Sequence, residues 1–213
     1  MNILTEISEA LQVGDISGVE QGVSTALDNG ISPREVLEKG LLEAMEIIGD
    51  KFTKNEVFVP EVMLAARAMN AGMTVLKPKL VETGIEPIGK VVIGTVKGDL
   101  HDIGKNLVKM MLEGVGFEVI DLGVDVSAEK FLQAVKEHQP DFVGMSSLLT
   151  TTMKEMKVCI DTLKEHGLRD QVKVMVGGAP ITQEYADSIG ADLYAKDAAE
   201  AASKAKELIV RTN

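Results

Sequence analysis

The stretch GDLHDIGKNLV, residues 98–108, brings together side chains that could hold a metal, a phosphate or a proton. A neutral imidazole coordinates a metal through one ring nitrogen while a carboxylate accepts a hydrogen bond from the other, which fixes the tautomer and makes the ligand more basic. This interpretation takes Asp99, His101 and Gly104 as a unit, in which Gly104 lets a bulky planar ligand approach the backbone. On spacing alone, a loop histidine that caps the next helix remains an alternative.

Three other chemistries fit the stretch poorly. A nucleotide triphosphatase loop has four residues between its first Gly and Gly-Lys, followed by Ser or Thr, whereas five residues separate Gly98 from Gly104 and an asparagine follows the lysine. A helical metal-dependent phosphohydrolase needs further His and Asp ligands, but His138 and His166 fall at the predicted ends of surface helices. A phosphoacceptor site of the response-regulator kind needs Asp where the third strand ends, and this chain has Ser146.

The elements that position these residues follow from the pattern after Lys90. Short apolar runs alternate with amphipathic helical segments, which indicates parallel strands covered by helices. The runs are VVIGTV, FEVIDLG, FVGMSS, VKVMVGG and ADLYA. Five strands predict a doubly wound, flavodoxin-like α/β sheet, in which ligands bind beyond the carboxyl ends of the strands where strand order reverses. Residues 98–108, Ser146-Ser147 and Gly177-Gly178 lie at the carboxyl ends of the first, third and fourth strands, so we expect three loops to converge on one edge.

Up to Glu86, apolar residues recur at helical spacing, and Gly-Asp, Asn-Gly and Ser-Pro pairs give the stop and start signals. We place helices near 2–13, 15–28, 33–50 and 60–82, with Pro78 as the point where the last could bend. Four amphipathic helices joined by short loops predict an antiparallel bundle. The expected domains are 1–86 and 90–213, joined by a linker at about 83–89.

Composition narrows the function classes. The chain has 33 acidic residues against 22 Lys and Arg, a formal net charge of −11 that repels nucleic acid and anionic membrane surfaces. No run approaches the roughly 18 apolar residues of a membrane span, and the start lacks a secretory signal pattern. The lone Cys159 lies in a helical pattern and is interpreted as a small buried side chain in a reducing compartment. We therefore expect a cytoplasmic protein that binds neither nucleic acid nor membrane.

Three motifs in order resemble a known family. They are Asp99-Leu100-His101-Asp102-Ile103-Gly104, Ser146-Ser147-Leu148 and Gly177-Gly178. Together they resemble the Asp-x-His-x-x-Gly, Ser-x-Leu and Gly-Gly signature of cobalamin-binding domains. Independently, GDKFTKNEVFVPEVMLAARAMNAGM is similar to the helical cap beside the cobalamin domain in methionine synthase and small corrinoid proteins. The two modules cover nearly the whole chain and imply a four-helix cap followed by a five-stranded parallel sheet domain.

The resemblance implies how a corrinoid would be held. His101 is expected to replace the cofactor's benzimidazole as the lower axial ligand of cobalt, with Asp99 as its hydrogen-bond partner. Methionine synthase extends this relay to a serine, and the matching position here is Thr152, whose hydroxyl can donate the same bond although its methyl group alters the geometry. Ser146 and Thr150 are expected to line a slot for the displaced nucleotide tail.

Further residues are implied by position in the same family. Phe52 and Val59 match an aromatic and an aliphatic cap residue that shield the upper face of the corrin, and Glu38 aligns with a cap residue near the cofactor. The remaining residues expected to bind the cofactor are Asp102, Gly104, Leu148, Gly177, Gly178 and Ala198.

The implied function is that of a corrinoid methyl carrier, which binds cobalamin base-off and His-on. One substrate-specific methyltransferase would load it, and a second would pass the methyl group to an acceptor such as tetrahydrofolate or a thiol. A reductive activase is the third expected partner. The chain has no room for a substrate-activating domain, so a complete active site of its own is not expected.

Three functions from other classes fit the sequence less well than the methyl carrier. The cobalamin subunit of a mutase carries the same three motifs but does not need the helical cap, so residues 1–86 argue against it. A cobalamin-based sensor usually adds a DNA-binding module, for which length and charge leave no space. A flavodoxin-like protein without a cofactor would make the three motifs coincidental.

Overall fold

The computed structural model describes residues 2–212, and the side chains of residues 2–210. The chain divides into two compact units, one made mainly of residues up to Pro87 and the other mainly of residues from Ile88 onward. We call them the helical domain and the sheet domain. No helix of the described chain is both long and apolar enough to cross a membrane.

The helical domain consists of helices at the four predicted places. Their bounds are α1 (Ile3–Gln12), α2 (Ile16–Asp28), α3 (Pro33–Glu35), a π-helical segment (Val36–Leu42), α4 (Glu43–Thr53) and α5 (Val59–Glu82). The side chains of Asn2, Asp15 and Ser32 accept hydrogen bonds from backbone N–H groups in the first turns that follow, as N-cap residues do. Pro78 lies inside α5 and does not end it.

Small residues let these helices approach closely. A Cβ at Gly72 of α5 would lie 2.8 Å from Cγ1 of Val19 in α2, and one at Gly22 would lie 2.7 Å from Cγ1 of Ile7. Such contacts are shorter than packed carbon atoms tolerate. Glycine at both positions therefore sets the spacing of the bundle.

The sheet domain is a parallel five-stranded sheet with helices between successive strands. The strands are β1 (Lys90–Thr95), β2 (Glu118–Asp121), β3 (Phe142–Ser146), β4 (Lys173–Gly177) and β5 (Leu193–Tyr194). The helices are α6 (Ile103–Gly114), α7 (Ala128–His138), α8 (Lys154–Glu165), α9 (Gln183–Ile189) and α10 (Ala198–Thr212), with a 3₁₀ turn at Arg169–Gln171. The strand order is β2-β1-β3-β4-β5, which confirms the flavodoxin-like prediction.

The register of the sheet aligns the three strand ends that precede the sequence motifs. Thr95 of β1 pairs with Ser146 of β3, which pairs with Gly177 of β4. Strand order reverses between β1 and β3, so the connections that leave these strands run to opposite sides and open a crevice. The expected convergence of the three loops on one edge is confirmed.

The core of the sheet domain lies between the strands and their covering helices. Val92, Val143 and Val174 are fully buried and belong to one cluster with Phe131 of α7 and Ile160 of α8. Cys159 of α8 belongs to the same cluster and is 1% exposed. Burial, with smaller contributions from Glu155 and Glu129, raises the pKa of its thiol to about 12. The interpretation of this cysteine as a buried structural side chain is confirmed.

Candidate functional site

The site lies at the carboxyl edge of the sheet, in the loop between β1 and α6. Backbone hydrogen bonds fix the start of this loop: Val96 N–H donates to the carbonyl of Ser146, and Asp99 N–H donates to the carbonyl of Val96. Gly98 occupies the left-handed region with a φ of 81°, a conformation that glycine adopts without steric cost. The chain thereby turns so that Asp99 points inward and His101 outward.

The carboxylate of Asp99 is fully buried and accepts five hydrogen bonds. Its Oδ1 accepts from the backbone N–H of His101 at 3.0 Å and from Nδ1 of His101 at 2.7 Å. Its Oδ2 accepts from the backbone N–H groups of Leu148 and Leu149, at 2.7 and 3.2 Å, and from Oγ1 of Thr152 at 3.0 Å. Burial acts to raise the pKa of Asp99, but the hydrogen bonds from His101, Leu148 and Thr152 outweigh it and hold the pKa well below the usual range.

The ionised Asp99 determines the tautomer of His101. A carboxylate only accepts hydrogen bonds, so the proton of the neutral imidazole sits on Nδ1 and leaves a lone pair on Nε2. The His101 side chain is 52% exposed, and its Nε2 has no hydrogen-bond partner among the residues that the structure describes. The imidazole is thus held through Nδ1 by Asp99, while Nε2 is accessible. Metal-ligating histidines have the same arrangement.

The hydrogen bonds continue from Asp99 into the loop after β3. We call the hydrogen-bonded chain of His101, Asp99, Thr152 and Ser147 the relay. Oγ1 of the buried Thr152 lies 3.0 Å from Oδ2 of Asp99 and 2.8 Å from Oγ of Ser147. Since the carboxylate accepts, Thr152 donates to Asp99, and Ser147 donates either to Thr152 or to the carbonyl of Leu149. The methyl group of threonine therefore does not prevent this hydrogen bond.

Ser147 is a site residue that sequence reasoning missed. It occupies the variable position of the Ser-x-Leu motif, so a motif match passes over it. It is fully buried, and its backbone N–H donates to the carbonyl of Gly177 at 3.2 Å. Its position immediately after a predicted strand, between two motif residues, was the signal that could have singled it out.

Gly178 has a steric role in addition to its place in the Gly-Gly motif. Its φ is 129°, and a Cβ there would lie 1.9 Å from the carbonyl oxygen of Ser147. Only glycine allows the chain after β4 to pass this close to the chain after β3. Gly177 differs, because a Cβ there would make only an ordinary contact at 3.5 Å with the carbonyl oxygen of Ala195.

The other predicted residues of the sheet domain fall into two groups. Asp102, Leu148 and Thr150 are exposed in the loops after β1 and β3, Gly104 is exposed in the first turn of α6, and Ser146 is half-buried at the end of β3. Asp102 precedes α6 and accepts a hydrogen bond from Nδ2 of Asn106 at 3.1 Å. Ala198, by contrast, is buried at the start of α10 and takes no part in the relay.

The predicted cap residues belong to the helical domain. Phe52 and Val59 are half-buried and stand on either side of the turn that joins α4 to α5. Glu38 lies in the π-helical segment, exposed to solvent, and forms an ion pair with Arg34 at 3.3 Å. None of the three belongs to the sheet domain that carries the relay.

The surroundings of His101 fit a bulky planar ligand that brings its metal with it. Leu100 and Ile103 are 72% and 76% exposed, and Leu148 and Leu149 are also exposed. A Cβ at Gly104 would meet no atom within 4 Å. Residues 2–212 contain no group of three or more His, Cys, Asp and Glu side chains able to hold a bare metal ion. One imidazole beside open apolar surface therefore suits a cobalt whose equatorial positions are already filled by a corrin ring.

Comparison with known proteins supports this fit. Residues 89–203 match a family model described as a B12 binding domain, and residues 3–77 match a second model of the same description. The chain is 44% identical over 212 residues to dimethylamine corrinoid protein 2 of Methanosarcina acetivorans, covering 98% of this chain and 96% of that protein. It is 45% identical over 206 residues to the trimethylamine corrinoid protein of Methanosarcina barkeri, covering 96% and 95%.

A solved structure is also similar over almost the whole chain. It is that of the methanol:cobalamin methyltransferase complex from Methanosarcina barkeri, with a TM-score of 0.88 and 31% identity, covering 98% of this chain and 80% of that one. These similarities point to the same family as the sequence motifs, the fold and the oriented imidazole. The chain belongs to the cobalamin-binding corrinoid proteins of methylamine and methanol methyltransferase systems.

Proposed function

We propose that this chain is the methyl carrier of a methylamine methyltransferase system, with His101 as the lower axial ligand of its corrinoid. The observation that carries the proposal is the 2.7 Å contact between Nδ1 of His101 and the buried carboxylate of Asp99, which leaves Nε2 as the exposed ring nitrogen. Methylamine is favoured over methanol because the dimethylamine and trimethylamine corrinoid proteins are 44% and 45% identical to this chain, against 31% for the protein of the methanol complex.

The roles of the residues follow from the relay. A bound corrinoid supplies a cobalt centre that accepts a methyl group and passes it on. Asp99 holds the Nδ1 proton of His101 and keeps Nε2 directed outward as a base. With a corrinoid bound, Nε2 of His101 would hold its cobalt, and the carboxylate of Asp99 behind the ring would make the imidazole a stronger ligand. Thr152 donates to Oδ2 of Asp99 and lies 2.8 Å from Oγ of Ser147, so the carboxylate has a hydroxyl donor on the oxygen that does not contact His101.

Residues around the relay are assigned to the rest of the cofactor. We infer that Ser146 and Thr150 line the slot for the nucleotide tail and that Gly177 and Gly178 leave room beside it. Asp102, Gly104 and Leu148 would contact the lower side of the ring system, because they are exposed in the loops after β1 and β3 or, for Gly104, in the first turn of α6. Ala198 would serve at the start of α10 as a small buried side chain.

The helical domain is proposed to cover the upper face of the corrin. Phe52 and Val59 would shield it, with Glu38 nearby. Residues 83–89, between the end of α5 at Glu82 and the start of β1 at Lys90, would be the hinge that lets a methyltransferase reach the bound methyl group.

Phe52→Ala is expected to speed photolysis of bound methylcobalamin, because removal of the ring opens the upper face to solvent. The rate is measured from the absorbance change under constant illumination. Phe58→Ala is the matched control, since Phe58 is an aromatic residue of the same turn that is already 61% exposed. Equal rates in the wild type and the Phe52 variant would contradict the shielding role.

The carrier would work with three partners. A substrate-specific methyltransferase would load it, an acceptor methyltransferase would unload it towards tetrahydrofolate or a thiol, and a reductive activase would restore it after oxidation. The similar chain of the solved structure belongs to a complex with a methanol:cobalamin methyltransferase, which supports docking of the first kind. Transfer from dimethylamine or trimethylamine, with methanol as the comparison substrate, would identify the donor.

The experiment that tests the axial role is anaerobic reconstitution of wild type and His101→Ala with methylcobalamin and hydroxocobalamin. We expect a stoichiometric wild-type complex with the spectrum of a nitrogen-ligated corrinoid, and loss of that ligation in the variant. His166→Ala is the matched control, because His166 is exposed at the end of α8 and bonds only locally, to the carbonyl of Thr162.

The source of the nitrogen ligand can be identified by isotope. In the reduced cob(II)alamin complex, ¹⁵N-labelled histidine in the protein should change the nitrogen splitting of the electron paramagnetic resonance lines from a triplet to a doublet. An unchanged triplet would mean that the cofactor's own benzimidazole remains bound, and the proposed role of His101 would be wrong. Absence of corrinoid binding would remove the carrier function.

A further inference from the structure

Two residues outside the relay hold the backbone of the loop that carries His101. The first is Thr95, the last residue of β1, which is fully buried. Its Oγ1 donates a hydrogen bond of 2.8 Å to the carbonyl oxygen of His101 itself. Because Thr95 is fixed in the sheet by its pairing with Ser146, this bond ties His101 directly to the rigid part of the domain.

The second residue is Asp125, in the loop between β2 and α7. Its Oδ1 accepts from the backbone N–H of Gly98 at 2.7 Å, and its own N–H donates to the carbonyl of Asp99 at 3.0 Å. Asp125 adopts a φ of 53°, in the left-handed region that is uncommon for residues with a side chain. The strained residue attaches the loop after β2 to the loop after β1 at two points, Gly98 and Asp99.

These contacts do a different task from the relay. Asp99 and Thr152 orient the imidazole ring, whereas Thr95 and Asp125 fix the main chain from which the ring projects. Axial ligation requires a position accurate to roughly 0.5 Å, which a side-chain hydrogen bond supplies only if its backbone is also held. Both attachments are made by the polypeptide alone. Cofactor binding therefore does not have to include the loss of conformational entropy that fixing the loop backbone costs.

We infer that Thr95 and Asp125 are positioning residues for His101, which act on the strength of axial ligation through the loop backbone. This inference rests on the proposed axial role of His101. It goes beyond that role in assigning part of the ligation to residues whose side chains bond to the loop backbone at His101 and Gly98 and not to the imidazole.

The first test is Thr95→Val, which keeps the β-branched shape and removes the hydroxyl. We expect affinity for methylcobalamin to fall roughly tenfold, the effect of losing one well-formed hydrogen bond, together with a smaller His-ligated fraction in the spectrum. Thr95→Ser keeps a hydroxyl and should bind within about twofold of the wild type.

The same substitution in the His101→Ala background separates positioning from a general structural effect. If Thr95 acts through His101, Thr95→Val should change the affinity of His101→Ala by less than about twofold, because the two residues then share one interaction. A tenfold loss in both backgrounds would overturn the inference, and so would wild-type binding by Thr95→Val.

Asp125→Gly provides a second route that does not depend on a buried substitution. Glycine accepts the positive φ but lacks the carboxylate, so we expect weaker ligation, again only when His101 is present. Gln139→Gly is the matched control, since Gln139 is another residue with positive φ, at 47°, and lies at the end of α7 outside the loop. Wild-type ligation in Asp125→Gly would remove Asp125 from the proposal.

Failure of the inference and failure of the axial role can be told apart. The axial role fails if His101→Ala alone keeps the nitrogen-ligated spectrum. The positioning role fails if His101→Ala loses that spectrum while Thr95→Val and Asp125→Gly bind and ligate as the wild type does.

Discussion

Replacing Asp99 with asparagine is expected to lower the free energy of unfolding by about 3 kcal/mol and to weaken His-ligated corrinoid binding. The shape of the side chain is retained, so no cavity is created. The effect comes from the exchange of one acceptor oxygen for an amide group that only donates hydrogen bonds.

Neither orientation of the amide satisfies the site. If the amide nitrogen replaces Oδ2, it faces the backbone N–H groups of Leu148 and Leu149, which cannot reverse. If it replaces Oδ1, it faces the backbone N–H of His101 and forces the ring proton from Nδ1 to Nε2. Protonated Nε2 has no lone pair for cobalt, so the second orientation removes the ligand chemically.

The measurement is urea unfolding of the apoprotein, with the visible spectrum after addition of methylcobalamin. Asp187→Asn is the matched control, because Asp187 is exposed in α9 and its carboxylate accepts one side-chain hydrogen bond, from Gln183. The control should unfold and bind nearly as the wild type does. An Asp99 variant with wild-type stability would show that the five hydrogen bonds contribute little.

Acid adds an independent check on the same carboxylate. The pKa of Asp99 in the folded protein lies below its ordinary value of 3.8, so folding favours the ionised form. Its contribution to stability is therefore fully present above that value and is lost as the pH falls towards the lower folded pKa. The difference in unfolding free energy between wild type and Asp99→Asn should therefore narrow as the pH falls below 3.8.

Gly178→Ala should destabilise the sheet domain by about 3 kcal/mol or more, through overpacking and a strained backbone. The added Cβ would lie 1.9 Å from the carbonyl oxygen of Ser147 and 2.8 Å from its carbonyl carbon. These are backbone atoms beside the strand pairing of Ser146 with Gly177, so they cannot rotate away as a flexible side chain would. The chain after β3 has to move, and the 2.8 Å contact between the hydroxyl groups of Thr152 and Ser147 is then lost.

The result is measured as thermal and urea unfolding of the apoprotein, followed by cobalamin affinity under conditions where the variant is folded. Gly167→Ala is the matched control: its φ is 70°, but a Cβ there would meet no atom within 4 Å. The control should lose only about 1 kcal/mol, from the left-handed conformation alone. Equal losses at the two positions would mean that the close approach to Ser147 is relieved at little cost.

The sequence was most informative where local patterns have one physical solution. Apolar runs separated by amphipathic segments predicted five strands and the order of a doubly wound sheet, because parallel strands must be covered on both faces. Helix start signals such as Asp15 and Ser32 placed the helical elements, since capping is a contact between near neighbours. Asp99 and His101 are two residues apart, so their pairing could also be predicted from the sequence.

The sequence predicted only some of the contacts between segments that are distant along the chain. The bond from Thr152 to Asp99 joins residues 53 positions apart and was proposed through family resemblance. Ser147 was missed, although it is buried next to Thr152. Thr95 and Asp125 were missed as well, because a threonine at a strand end and an aspartate in a loop are ordinary in composition.

The sequence by itself determined the elements, their order and the pairing of Asp99 with His101, because helical and strand periodicity and short motifs depend on neighbouring residues. Only the tertiary structure decided how the imidazole of His101 is held. The sheet register places the ends of β1, β3 and β4 side by side, and burial turns Asp99 into an acceptor of five hydrogen bonds from two loops. Such contacts depend on which segments meet in space, and pairing across long separations leaves no periodic trace along the chain.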